Sequence, residues 1–128
     1  MGEILKNKND LIVIRAWSAT LQASVTKTAS GDSKLTPVNV KQLKEGEFFL
    51  DLTAIARTTT GTFDVNILTL DPISGKWFTL TSFTQRTTVG TERKVLTGNL
   101  GAFLAASWVL AGDTTSVTFS IGAVLKAG

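Results

Sequence analysis

The sequence predicts an all-β protein: an antiparallel, jelly-roll-like β-sandwich of about eight strands with an N-terminal arm. Three observations predict it. Apolar and polar residues alternate over short runs, most plainly Val117, Phe119, Ile121, Ala123 and Leu125 against Ser116, Thr118 and Ser120, the period of a strand with one buried face. Turn-forming residues recur about every ten positions and cut the chain into strand-length pieces. The composition, 43% hydrophobic and only 18% charged, is Thr-rich with two prolines, which suits sheets better than helices. A chain of 128 residues fits one domain that buries roughly two-thirds of its unfolded surface. Residues 1–10 read as a flexible arm and residues 11–128 as a single β-sandwich domain.

In the arm, only Ile4 and Leu5 interrupt polar sequence, and first residues fray unless tied down. Leu11 to Trp17 is a continuous apolar run of strand length, β-branched at Ile12, Val13 and Ile14, of the kind buried on both faces or covered by another subunit. A second strand follows at Thr20 to Thr26, then a loop turning at Ser30-Gly31-Asp32. Pro37, which cannot donate to a ladder, confines the stretch with Val38 and Val40 to an edge. Lys44-Glu45-Gly46-Glu47 reads as a polar turn. Beyond it, Phe48, Leu50, Leu52, Ala54 and Ala56 fall on one face of a strand, with Phe49 and Ile55 opposite as apolar surface that needs cover.

The stretch from Phe63 to Phe83 is the most strongly specified. Phe63, Val65 and Ile67 alternate with Asp64 and Asn66, and Asp71-Pro72-Ile73-Ser74-Gly75 carries turn chemistry. Asp bonds its own backbone, Pro presets φ and Gly supplies a positive φ. The return arm, Trp77 to Phe83, is aromatic and β-branched. A short strand is expected at Arg93 to Leu96. Ala102 to Leu110 reads as a strand despite its alanines: glycines bracket it, and helical spacing leaves no polar face. A turn at Gly112-Asp113 precedes the closing strand, Ser116 to Leu125, in which Gly122 marks a bulge or a close approach. For Trp17, Trp77 and Trp108 the expectation is core.

The chain has no His, Cys or Tyr. That removes the commonest general base near neutral pH, thiol nucleophiles and the thiolate and imidazole metal ligands, so the expectation is a protein that is not an enzyme and holds no cofactor or metal. Asp64 and Asp71 stand alone beside a turn, where calcium needs six or more oxygens together. Net charge is +3, but the bases are scattered, and Lys41/Lys44 and Arg93/Lys94 sit beside Glu45, Glu47 and Glu92. This reads as a mixed surface with no specific nucleic-acid partner. No run approaches the ~18–20 apolar residues of a membrane span, Glu3 and Asp10 interrupt the first residues so that no cleavable signal is expected, and Lys6 stands where myristoylation wants Ser or Thr.

From Phe48 to the end, the order of features resembles a group of small virion proteins of tailed bacteriophages. The residues that carry the resemblance are Leu50-Asp51-Leu52-Thr53-Ala54, Thr62-Phe63-Asp64-Val65-Asn66-Ile67, Trp77 to Gln85, Ala102 to Trp108, and Val117-Thr118-Phe119-Ser120-Ile121. The pattern is one of core positions, and Leu104 and Ala105 stand where the group often has an Arg. The resemblance implies a non-enzymatic structural subunit made in the host cytoplasm and carried in the virion. Its role would be capsid decoration or a tail-associated place, and its partners itself, as a homo-oligomer such as a trimer, and the major capsid protein or another virion protein. Residues that suit such contacts are Ile4, Leu5, Leu11, Ile12, Val13 and Ile14, since an obligate interface resembles a core cut in half. The alternative is a carbohydrate- or host-surface-binding module that displays Trp17 or Trp77.

Overall fold

The computed structural model describes residues 16–41 and 43–127. These form nine strands and no helix: β1 (Ala16–Lys27), β2 (Gly31–Asp32), β3 (Val38–Asn39), β4 (Glu45–Ala56), β5 (Thr62–Asp71), β6 (Lys76–Ser82), β7 (Gly90–Thr97), β8 (Phe103–Ala111) and β9 (Ser116–Lys126). They make two antiparallel sheets, one in the order β1-β9-β4-β7, the other β2-β8-β5-β6 with β3 also paired to β8. The pairings nest. β5 pairs β6, β4 pairs β7, β2 and β3 pair β8, and β1 pairs β9. With β2 and β3 taken as one interrupted strand, this is a long two-stranded ribbon rolled up from its tip, the jelly roll. The tip is the Phe63–Phe83 hairpin.

That hairpin closes by the chemistry its residues predict. The Ile73 amide donates to Asp71 Oδ1 (3.0 Å), the Gly75 amide to the Asp71 carbonyl (2.8 Å), and Gly75 sits at φ 74°. The core lies between the sheets. Phe48, Leu50 and Leu52 of β4 and the alternating Val117 to Leu125 of β9 face Phe63, Val65 and Ile67 of β5 and Leu104, Ala106 and Trp108 of β8. The Phe119 ring lies 5.1 Å from Phe63 and 5.3 Å, edge-on, from Trp108.

Several boundaries and faces differ from the sequence expectation. Thr20 to Thr26 is not a separate strand but part of the twelve-residue β1, whose ladder with β9 shifts between Thr20 and Gln22 and again before Val25. The first shift lies opposite Gly122, so the irregularity belongs to β1. Gly31 and Asp32 are a short strand, not only a turn, and Glu45 to Glu47 open β4 instead of preceding it. The β4–β9 register shifts between Leu52 and Ala54. Because side chains alternate with period two, that slip turns Ala54 and Ala56 outward and packs Ile55 against the core. Of the three Trp rings only Trp108 is core; Trp17 is 45% exposed and Trp77 half-buried.

Candidate functional site

Several carboxylates of the described residues brace loops. Asp113, in the β8–β9 turn, accepts the amides of Thr58 (3.0 Å), Thr59 (2.9 Å) and Thr60 (3.0 Å) and the Thr58 hydroxyl. The Thr58 hydroxyl first, then the Thr60 amide, hold its carboxyl well below the usual 3.8. Asp71 is lowered likewise, first by the Ser74 hydroxyl (2.7 Å) and then by the Ile73 amide. Glu92 accepts the Thr84 amide at 3.0 Å and lies 3.5 Å from Arg86 Nη2, tying the β6–β7 connection to β7. Asp64 accepts from Gln85 Nε2 (3.1 Å). Among the described residues no three Asp or Glu come together as metal ligands would.

What the described residues do gather is apolar surface, in two places. The first is the outer face of the β1-β9-β4-β7 sheet. Phe49 of β4 (39% exposed) and Val95 of β7 (52% exposed) are diagonal neighbours, because Phe49 pairs with Arg93 and Glu47 with Val95. On its other side Phe49 pairs with Gly122, which carries no side chain to cover the ring. Charged groups frame the patch: Arg93 Nε donates to Glu47 Oε2 at 2.8 Å, and Lys126 Nζ lies 3.9 Å from Glu47 Oε1. Glu47, Arg93 and Lys126 thus place three charged groups beside an exposed aromatic and an exposed aliphatic side chain.

The second is a groove of about 420 Å³ at the mouth of the sandwich, lined by Trp17 and Ala19 of β1, Val38, Leu43 and Leu125, with Asn39 and Lys41 on its exposed side. Trp17 and Ala19 pair with the buried Leu125 and Ala123, so both occupy inward-facing positions. Opposite them, among the described residues, that side of the other sheet holds β2 and β3, two residues each. The Lys41 amide donates to Asn39 Oδ1 (3.0 Å), and Lys41 Nζ stands 5.2 Å from the Phe103 ring centroid.

The contact residues expected from sequence, Ile4, Leu5, Leu11, Ile12, Val13 and Ile14, lie outside the described residues. Phe49, expected as uncovered apolar surface, is so placed; Ile55, expected beside it, is not. Val95 and the groove went unread. Val95 was legible in principle, since Thr91, Arg93, Val95 and Thr97 alternate outward along β7. The groove was not, because it forms where strands distant in sequence end.

No family model matches the chain, and no curated protein matches it. Among solved structures, dimeric latent PorU from Porphyromonas gingivalis aligns with 88% of this chain at 10% identity and a TM-score of 0.31. The chain spans 10% of that protein's length.

Proposed function

We propose that this chain is a non-enzymatic structural protein of a tailed-bacteriophage virion, a decoration subunit that docks on the capsid shell as a symmetric oligomer such as a trimer. The observation that carries the reading is the Phe49–Val95 patch, an exposed aromatic and an exposed aliphatic framed by the Glu47–Arg93 and Glu47–Lys126 pairs. Burying such a pair against a partner, with its charges meeting opposite charges at the rim, gives affinity at the centre and register at the edge. The resemblance of the chain from Phe48 onward names the partner class. The fold is compatible, since jelly rolls build viral capsid domains, but they build lectins too, and a fold by itself decides no function.

Co-sedimentation with shells of the cognate major capsid protein tests this, with sedimentation velocity reporting oligomer mass. The expected result is a closed oligomer that pellets with shells, and a Phe49→Asp/Val95→Asp variant with an unchanged circular dichroism spectrum that binds about tenfold more weakly or worse. A monomer that stays in the supernatant at every concentration overturns the proposal.

A further inference from the structure

We infer that the outer edge of β7 pairs antiparallel with the same edge of a second copy of this chain, about a two-fold axis through Val95. The proposed role calls for copies that associate and does not say where they meet; this contact stands on the strand itself.

Among the described residues β7 ends its sheet and pairs with β4 alone. An open edge offers its alternate amides and carbonyls to any other strand, and proteins blunt such edges by shortening or bulging them. The remaining edges are blunted in that way. β2 and β3 are two residues each, the ladder of β1 shifts twice and that of β6 once. β7 instead runs eight residues, Gly90 to Thr97, in unbroken register with β4. Its first part is covered: Arg86 Nη2 donates to the Thr91 carbonyl (2.9 Å), and the Thr84 amide donates to Glu92. No such bond covers the backbone from Arg93 to Thr97 among the described residues.

The residues of that open part select a register. Strands that pair antiparallel under a two-fold keep each side chain on its own face of the sheet, so outward residues meet outward ones. An axis through Arg93 or Lys94 sets like charges face to face, which destabilises the pair. One through Leu96 leaves Arg93 beyond the end of the second β7. An axis through Val95 sets two exposed valines against each other and joins the two Phe49–Val95 patches into one apolar strip. The same register puts Arg93 opposite Thr97 of the second copy, whose own neighbour on β4 is Glu45. Arg93 bonds Glu47 through Nε and keeps 60% of its side chain exposed. It therefore reaches over the small threonine toward that second carboxylate, two strand spacings or about 10 Å away between Cα atoms. The contact is apolar at the axis and charge-complementary on both flanks. Such a self-complementary surface makes an isologous interface, which closes at two copies.

Sedimentation velocity on the full chain and on two variants tests the register. The full chain is expected to sediment as a dimer. V95K and V95E, each setting like charges across the axis, are expected to weaken association about tenfold or more with an unchanged circular dichroism spectrum, and a 1:1 mixture of the two to restore it. Should either variant fail to fold, Val95→Cys decides. In a chain with no other cysteine it should give a disulfide-linked dimer under mild oxidation, and Thr53→Cys, exposed on β4 away from the edge, should not. A full chain at monomer mass at every concentration overturns the inference, and loss of its shell binding in V95K would give the edge to the shell instead. A mixture as weakly associated as its parts also overturns it. So does a closed oligomer that pellets with shells and keeps its mass in V95K and V95E, which leaves the proposed function standing. Dimers that part and re-form as expected but pellet with no shell sustain the contact and defeat the proposed role.

Discussion

Asp113 shows how a single side chain of this protein does structural work that resembles the electrostatics of an active site. Its carboxylate collects three consecutive amides and a hydroxyl from Thr58 to Thr60, and so locks the β4–β5 turn to the β8–β9 turn across the end of the sandwich. Gly112 beside it lies at φ 62° with its Cα facing the Thr60 carbonyl, where any Cβ would collide with backbone. These bonds favour the ionised form, so the folded carboxyl has a lower pKa than the unfolded one, which sits near 3.8. Stability from this group is therefore complete above the unfolded value and drains away as pH falls through the folded one. Asp113→Asn is expected to melt at a lower temperature than the parent at neutral pH. The difference should narrow as pH drops from about 4 towards the folded value, because there the unfolded chain's carboxyl takes up its proton while the folded one keeps its charge. Melting curves in parallel from pH 7 to strong acid check this, and a gap of constant size throughout would refute it.

At the scale of the element, β4 carries the decisive irregularity. Up to Leu52 its apolar residues alternate inward; the slip before Ala54 then exchanges the faces. Strict alternation assigns Ala54 to the core and Ile55 to solvent, and the structure reverses both. The two assignments make opposite predictions. Ala54→Glu should alter stability by no more than about 0.5 kcal/mol, as surface changes do. Ile55→Glu, which presses a charge against the core, should cost about 1–3 kcal/mol. Urea midpoints for the pair decide the matter, and equal losses would mean that the register shift is absent in solution. The β5–β6 hairpin is the contrasting case. Its ladder has a shift after Ile67, yet the turn falls where Asp71 and Gly75 place it, because turn chemistry is local.

Across the whole molecule, the nested pairing means that the first described residue closes the fold against the last strand: Ala16 lies opposite Lys126. The nine strands of the described residues run from Ala16 to Lys126. If residues 1–15 serve the proposed assembly, removing them is expected to leave the far-ultraviolet circular dichroism and the unfolding midpoint nearly unchanged while lowering oligomer mass or weakening shell binding. Truncated protein with the parent's mass and shell affinity would contradict the expectation.

By itself the sequence determined the all-β class, the Phe63–Phe83 hairpin, the strand at Phe103–Ala111 where alanines invite a helix, and the inward row from Val117 to Leu125. It also marked Phe49 as exposed apolar surface. Each of these follows from period-two alternation or from turn residues within a few positions, and such signals are local. Only the tertiary structure decided that the hairpin is the tip of a rolled ribbon, that Ala54 and Ile55 exchange faces, and that Trp17 borders an open groove. These depend on register and on where facing strands stop. Residues as far apart as Trp17 and Leu125 set both, and no short window of sequence contains such a pair.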